Sequence, residues 1–126
     1  MPRALLKVAT AAALSLFAWI GASAAAPDAT RGRTLFEKRC TGCHAVDGIK
    51  AAPPLRGIFH KPAARNAKFP YSDALKSAHL TWDEATLDRW LADPDATVPG
   101  NDMSFRLDKA DERADIVAYL KQLGDK

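Results

Sequence analysis

Cysteine, methionine and histidine are scarce in this sequence, which has two, two and three of them among 126 residues. Two cysteines exclude a disulfide-rich scaffold and a zinc site with four cysteine ligands. Strongly unbalanced charge is also missing, since 18 basic and 15 acidic side chains leave a formal charge of +3. With no base-reading motif beside it, this small excess does not indicate nucleic-acid binding. At this length a single domain is the default.

A hydrophobic run of membrane-spanning length is missing as well. Residues 8–20 form an apolar run, which is short against the roughly 20 residues that a transmembrane helix needs. Arg3 and Lys7 precede this run and small residues follow it, which is the pattern of a secretory signal. We expect residues 1–25 to be this signal and residues 26–126 to be a domain exported to a bacterial periplasm, without a stable membrane anchor. The candidate cleavage positions follow Ala24, Ala25 and Ala26, and an uncleaved anchor is the alternative.

Helical patterns dominate the rest of the chain, and no convincing alternating strand is found. The predicted helices run from Asp28 to about Cys43, from near Ser72, from Thr81 to Asp93 and from about Asp108 to Leu123. For the third helix, Thr81 and Glu84 fit a capping box. Residues 45–71 and 94–107 are predicted loops, and the first is too long for a compact domain unless something organises it. We therefore predict an all-α fold, with three to four main helices and long loops around one large apolar cofactor.

Both cysteines belong to the motif Cys40-Thr41-Gly42-Cys43-His44. Positions i, i+3 and i+4 share one face of a helix, so two thiols there can bond to two neighbouring vinyl groups of a porphyrin. The histidine can then reach the iron, and this spacing is the attachment signature of c-type haem. Three alternatives remain: a zinc site completed by His60, His79 or carboxylates, a redox dithiol, and a disulfide. Each is disfavoured, because zinc needs four ligands, the dithiol needs a preceding strand and so short a disulfide loop stabilises little.

Met103 is the one methionine that remains once the predicted signal is removed. It lies in the loop Pro99-Gly100-Asn101-Asp102-Met103-Ser104-Phe105, far from the cysteine motif in sequence. A lone methionine usually fills a gap in a core, but His/Met is a known ligation of c-type haem. We therefore predict that His44 and Met103 are the two axial ligands of the iron. His60 and His79 are the rival candidates for the second position.

The sequence resembles the class I cytochromes c, close to the mitochondrial-like branch that includes bacterial soluble cytochromes c. The resemblance extends from about Gly32 to Leu123 and rests on several short motifs in the right order. Besides the cysteine motif, the matching residues are Gly32, Phe36, Pro53, Leu55, Gly57, Tyr71-Ser72, Thr81-Trp82, Pro99-Gly100, Met103-Ser104-Phe105, Arg113 and residues 115–121. The resemblance implies one covalently attached haem c with its iron.

The same resemblance implies roles for residues around the haem. The carbonyl of Pro53 would accept a hydrogen bond from His44 and orient the imidazole. Tyr71 and Trp82 would donate hydrogen bonds to a haem propionate, and Phe105 would cover the haem edge beside the methionine. Gly32 would allow the first helix to cross close to Tyr119 on the last one.

Four positions depart from the family pattern. Trp90 stands where a tyrosine often reaches the methionine sulfur, and we expect the donor of the larger indole to point elsewhere. Asp102 replaces a common lysine, Lys61 replaces an arginine near the propionates, and Pro54 replaces a frequent asparagine. These changes bear on the reduction potential and on the docking surface, and they leave the predicted ligands in place.

A haem iron with both axial positions filled has no site for a substrate, so an enzyme is not predicted. The resemblance implies a periplasmic carrier of one electron between redox partners of a respiratory or related chain. Basic residues dominate from Arg31 to Lys76 and acidic residues after Ser77, and such a charge separation can steer transient docking. A monomer is expected. The alternatives are a dedicated acceptor of one periplasmic dehydrogenase, or a haem enzyme or sensor with a labile methionine ligand.

Overall fold

The computed structural model describes residues 21–124, which form five α-helices joined by long loops. The helices are α1 (Ala29–Arg39), α2 (Asp73–Ser77), α3 (Glu84–Ala92), α4 (Pro94–Thr97) and α5 (Ala110–Gln122). Within these residues the only β pairing is an isolated bridge between Pro62 and Thr81. The predicted all-α fold is therefore confirmed, with three longer helices and two short ones.

The predicted signal falls mostly outside this part of the chain, because residues 1–20 lie outside the described residues. Residues 21–27 are exposed and have no regular structure. None of the helices in the described range is long and apolar enough to cross a membrane.

Helix α1 begins where the sequence predicts and ends earlier. The carboxylate of Asp28 accepts hydrogen bonds from the backbone N–H groups of Thr30 and Arg31, at 2.7 and 3.1 Å. This is a regular N-cap. The helix ends at Arg39 and not at Cys43, because the N–H groups of Cys43 and His44 both turn back to the carbonyl of Cys40, at 3.1 and 2.8 Å. The cysteine motif therefore forms a tight turn that continues from the helix.

Helix α3 has a capping box, but its residues are not the predicted pair. Asp83 accepts from the N–H of Thr86 at 2.7 Å, and the Thr86 hydroxyl accepts from the N–H of Asp83 at 2.8 Å. The prediction from Thr81 and Glu84 is wrong because the preceding residues are held in an extended pairing with the long loop. In that pairing the N–H of Trp82 donates to Lys61 at 2.9 Å, and the N–H of Ala63 donates to Leu80 at 2.7 Å.

Two further differences concern the second half of the chain. Residues 94–97 form helix α4 and not part of a loop, because Asp93 caps them with a 3.0 Å bond to the N–H of Ala96 and Pro94 suits the first turn. Helix α5 begins at Ala110, two residues after the predicted Asp108. Gly124, which follows its end, has a φ of +47°, as expected of a glycine that terminates a helix.

Helices α1 and α5 cross at a point where only glycine fits. A Cβ atom on Gly32 would overlap the carbonyl oxygen of Asp115 and would lie 3.0 Å from the Cβ of Tyr119. Beside the crossing, the rings of Phe36 and Tyr119 pack with their centroids 5.3 Å apart. The predicted close approach at Gly32 is thus present, and it determines how closely the backbones of α1 and α5 pack.

A buried carboxylate fastens the same two helices by charge. Asp115 is 5% exposed and accepts hydrogen bonds from Nε of Arg31 at 2.9 Å and from the backbone N–H of Asp28 at 2.6 Å. The hydrogen bond from Arg31 lowers the pKa of Asp115, although burial opposes this shift. A buried carboxylate with such partners stays ionised and ties the start of α1 to α5.

Replacing Gly32 by Ala should destabilise the protein by about 1–3 kcal/mol or more, because the new methyl group must push two helix backbones apart. Gly48→Ala is the matched control, since a Cβ there meets nothing within 4 Å and should change stability by less than about 0.5 kcal/mol. Denaturant unfolding of the haem-containing protein measures both. Equal midpoints for the two variants would show that the crossing tolerates a side chain.

Asp115→Asn should remove part of the dependence of stability on pH. The folded pKa of Asp115 lies below its unfolded value, so its contribution is present above about pH 4 and is lost as the pH falls further. At pH 7 the variant should lose on the order of 1–3 kcal/mol, and this difference from wild type should shrink towards pH 3. Asp108→Asn, at an exposed position with no side-chain partner within the described range, is the control. A difference that does not change with pH would contradict the assignment.

Candidate functional site

The three longer helices and the two long loops line a cavity of about 670 Å³. Helix α1 contributes Phe36, α3 contributes Leu87 and Leu91, and α5 contributes Ile116 and Leu120. This volume is in the range of a pocket for a large cofactor. All eight residues that the sequence analysis selected line it: Cys40, Cys43, His44, Pro53, Tyr71, Trp82, Met103 and Phe105. The rival ligands His60 and His79 are exposed side chains outside this lining.

The two cysteines lie at the edge of the cavity with different exposure. Cys40 is half-buried, Cys43 is exposed, and both thiols are unpaired. Burial raises the pKa of the Cys40 thiol to about 11. The disulfide alternative therefore has no counterpart in the structure, and both cysteines line the cavity.

His44 has a fixed orientation inside the cavity. Its Nδ1 lies 2.8 Å from the carbonyl oxygen of Pro53. A carbonyl can only accept, so Nδ1 carries the proton and the other ring nitrogen keeps its lone pair. Burial lowers the pKa of His44, and the hydrogen bond with Pro53 opposes this shift. The imidazole is thus a neutral ring with one free nitrogen, which is the form that binds a metal.

Met103 is held by its own loop. Its backbone N–H donates to Oδ1 of Asn101 at 2.7 Å, and Nδ2 of Asn101 donates to the carbonyl of Val98 at 2.8 Å. Gly100 has a φ of +86°, which a residue with a side chain adopts only under strain. Asn101 was not among the predicted site residues, although asparagine after Pro-Gly is a common turn-forming residue whose side chain bonds nearby backbone.

The indole of Trp90 points at the methionine sulfur, contrary to our expectation. Its Nε1 donates to Sδ of Met103 at 3.0 Å. The expectation was wrong because it considered only the size of the indole. Trp90 packs edge-on against Trp82, with centroids 5.3 Å apart, and this contact turns the pyrrole edge towards the methionine loop.

A group of hydrogen-bond donors lines another part of the cavity. The hydroxyl of Tyr71 accepts from the N–H of Asn66 at 3.3 Å and keeps its own proton. Within residues 21–124 no hydrogen-bond partner is found for the indole N–H of Trp82, which lines the cavity with Tyr71. Both donors are therefore available to an acidic group of a ligand.

The two loop arginines of the cavity wall differ in charge balance, because Arg56 is ion-paired with Asp47, whose Oδ2 accepts from its Nη2 at 3.0 Å, whereas Arg65 has no acidic partner within residues 21–124. Arg65 donates from Nη2 to the carbonyl of Gly57 at 3.1 Å, and Arg56 donates from Nη1 to the carbonyl of Leu123 at 2.8 Å. Lys61, which stands where an arginine near the propionates is usual, is outside the cavity lining. Arginines in a long loop carry no periodic signal, so spacing alone could not select Arg56 and Arg65.

The methionine side of the cavity opens to the surface beside Phe105. The Phe105 ring is half-buried, and the guanidinium carbon of Arg39 lies 5.6 Å from its centroid. Asp102 and Ser104 are exposed and also line the cavity. A positive group on α1 and a negative group on the methionine loop therefore both lie beside the opening.

Comparison with known proteins defines the family. The profile of the family described as cytochrome c matches residues 29–124. The chain is 44% identical over 105 residues to cytochrome c of Chlamydomonas reinhardtii, covering 80% of this chain and 94% of that protein. It is 41% identical over 107 residues to cytochrome c2 of Rhodomicrobium vannielii, covering 81% and 84%. Among solved structures, cytochrome cH from Methylobacterium extorquens is 39% identical, with a TM-score of 0.72 over 75% of this chain and 98% of that one.

The chain therefore belongs to the cytochrome c family, as the resemblance in its sequence predicts. It is an electron carrier and not an enzyme, its partners are redox proteins, and its cofactor is covalently attached haem c with iron. Cys40 and Cys43 fit the attachment motif of that cofactor.

The residues of the cavity fit this group chemically. The wall is largely apolar, as the porphyrin ring requires, and two thiols lie at its edge. A neutral imidazole and a thioether line it from separate segments, and donors to acidic groups are present. The zinc alternative has no support, because residues 21–124 contain no cluster of three or more His, Cys, Asp or Glu side chains that could hold a metal ion.

Proposed function

We propose that this protein is an exported one-electron carrier in which His44 and Met103 are the axial ligands of a single haem c. The observation that carries the proposal is that both side chains line the same cavity as the two cysteines. His44 arrives from the cysteine turn, with a free nitrogen left by its bond to Pro53. Met103 arrives from a loop almost sixty residues later, with its backbone fixed by Asn101.

When bound, the haem iron supplies reversible one-electron exchange between the ferric and ferrous states. The residues of this chain would prevent the iron from reacting with other small molecules. His44 and Met103 would both hold the iron, and they would leave no open site on it for oxygen or peroxide. A thioether ligand and a dry pocket both favour the reduced state, and buried side chains such as Phe36 and Ile116, 2% and 1% exposed, exclude water.

The polar residues of the cavity orient the cofactor. Cys40 and Cys43 would hold one edge through thioether bonds, while the N–H of Trp82 and the hydroxyl of Tyr71 would donate to a propionate. Arg65 adds compensating positive charge, which lowers the cost of burying a carboxylate. Phe105 would cover the exposed edge beside the methionine, so that electrons leave the cofactor through a short apolar contact.

Docking with redox proteins would be brief and guided by charge. The segment from Arg31 to Lys76 is basic and the segment after Ser77 is acidic, and charged surfaces of this kind raise association rates more than affinity. We propose a monomer that meets its partners one at a time. Electron-transfer rates with a natural partner should then fall as salt rises, because salt screens exposed charges.

Export to a bacterial periplasm is part of the proposal. The charged and apolar N-terminal pattern supports it, and cytochrome c2 of Rhodomicrobium vannielii is a bacterial relative. The proposed cleavage after Ala24, Ala25 or Ala26 falls in an exposed segment without regular structure. It precedes Asp28, so cleavage there keeps the 2.6 Å bond from the backbone N–H of Asp28 to Asp115 and costs at most the 3.4 Å bond from Arg31 to the carbonyl of Ala26.

Met103→Ala should open the iron while leaving the haem attached. In protein isolated from a periplasm with working cytochrome maturation, the variant should lose the weak methionine–iron charge-transfer band and bind carbon monoxide when reduced. Mass spectrometry of the same samples should show one covalent haem on a chain cleaved after residue 24, 25 or 26.

His60→Asn and His79→Asn are the controls for this experiment, because asparagine tolerates the positive φ of +62° and +49° at these positions. Both should retain the wild-type spectrum. An unaltered spectrum in Met103→Ala would show that another residue is the ligand. A mass that includes residues 1–20 would contradict cleavage of the signal.

A further inference from the structure

The loop that carries Met103 is anchored in the core at both of its ends but not in its middle. Val98 and Leu107 are 6% and 2% exposed, and the N–H of Leu107 donates to the carbonyl of Leu91 on α3 at 2.8 Å. Between these two anchors the chain reaches the surface, where Asp102 is exposed. The position of the middle of the loop therefore depends on contacts within the loop and with its neighbours.

An ion pair joins the residues after the methionine to the helix before it. Arg106 lies three residues after Met103, and its Nη2 is 3.0 Å from Oδ1 of Asp93 and 3.6 Å from Oδ2 of Asp95. Asp93 is the N-cap of α4, and Asp95 belongs to the first turn of that helix. The guanidinium thus closes the loop from its far side.

Asp95 is also contacted from the near side of the loop. Nδ2 of Asn101 donates to Oδ1 of Asp95 at 3.3 Å, and Oδ1 of the same amide accepts from the N–H of Met103 at 2.7 Å. We call the four residues that make these contacts the loop clamp: Asp93, Asp95, Asn101 and Arg106. The family resemblance does not rest on any of the four.

Helix α4 gives the loop clamp a fixed support. Pro94 is fully buried, and the carboxylate of Asp93 accepts from the N–H of Ala96 at 3.0 Å. The N–H of Asp93 donates to the carbonyl of Arg89 at 3.0 Å, which joins α4 to the last turn of α3. Because α4 is fixed in this way, the methionine loop can move away from the cavity only if the bonds of the loop clamp break.

We propose that Asp95 and Arg106 are positioning residues that keep Met103 on the iron by holding its loop closed. The inference rests on the proposed ligation by Met103. A methionine side chain has three rotatable bonds and adapts easily, so a lasting contact with a metal requires a backbone that stays in place. The loop clamp supplies this without touching the iron or the sulfur. It therefore determines how often the sixth position of the iron opens to another small molecule.

Solvent reaches the loop clamp, which limits its strength. The exposed fraction of the side chain is 52% for Arg106, 35% for Asp93 and 62% for Asp95. Ion pairs at such exposure are weak and are screened by salt. The loop clamp should therefore shift the equilibrium between closed and open loop by a few-fold, and added salt should reduce that shift.

Arg106→Gln in the haem-containing protein tests the inference, because it keeps much of the side chain and removes the charge. Imidazole, in its uncharged form, is titrated into the oxidised protein, and its binding is followed by loss of the methionine–iron charge-transfer band. The apparent affinity for imidazole should rise about two-fold to five-fold, the range expected for loss of exposed ion pairs. In wild type the affinity should rise with added salt, and in the variant it should rise less.

Asp95→Asn and the double variant Asp95→Asn/Arg106→Gln measure whether the two residues act together. Asp95→Asn alone should also raise the affinity for imidazole. The double variant should bind imidazole less tightly than the product of the two single effects predicts, because both substitutions break the same contact. Effects of the two substitutions that multiply fully would overturn the shared role of this pair.

Asp108→Asn is the control for loss of a charge, since Asp108 is exposed, lies two residues after Arg106 and is outside the cavity lining. Val117→Ala is the control for loss of stability, since Val117 is 5% exposed and also outside that lining. Neither should change the affinity for imidazole, although Val117→Ala should lower the unfolding midpoint. An equal rise in Val117→Ala would show that imidazole binding follows overall stability, and this would overturn the inference.

An unchanged affinity in Arg106→Gln would overturn the inference and leave the proposed ligation intact. If wild type itself lacks the methionine–iron band, the proposed ligation fails and the inference fails with it. Should Arg106→Gln not fold, the salt titration of wild type decides, and an affinity for imidazole that does not change with salt would then overturn the inference.

Discussion

The fold depends on the group that fills its cavity of about 670 Å³. Phe36, Leu87 and Ile116 come from three helices and face it together. An apolar wall of this size contributes to stability only when an apolar group covers it, because each Å² of apolar surface removed from water stabilises the fold by about 25 cal/mol. The covalent haem c is therefore the centre of the hydrophobic core, and the helices and loops form the layer around it.

The need to surround the haem also explains where the contacts that fix the helices and loops lie. Gly32 and Asp115 fasten α1 to α5 away from the cavity, by close approach and by charge. Each long loop is fixed where it brings a functional group. Pro53 orients His44, Asn101 holds the backbone of Met103, and pairing of residues 60–63 with 80–82 holds Trp82 in the wall. A scaffold that is rigid in this way allows the proposed ligands to stay in place when the charge of the iron changes.

Much of the fold follows from local sequence. Asp28, Gly124 and the break before Pro94 mark helix ends through side-chain or backbone chemistry that involves only near neighbours. The cysteine motif could be identified for the same reason, although it was predicted as the end of a helix and forms a turn after Arg39. Local sequence patterns do not predict contacts between residues that are far apart in the sequence. The capping box of α3 shifted to Asp83 because residues 80–82 pair with a loop twenty residues earlier. Arg65 and the direction of the Trp90 donor likewise depend on tertiary packing, which spacing does not encode.

The central claim, that the haem completes the core, can be tested by removing the means of attachment. The double variant Cys40→Ala/Cys43→Ala cannot form the two thioether bonds, and its denaturant unfolding can be followed by circular dichroism beside that of the haem-containing wild type. The account predicts a cooperative transition in wild type and, in the variant without haem, no cooperative transition under the same conditions. A haem-free variant that unfolds cooperatively at the wild-type midpoint would contradict it.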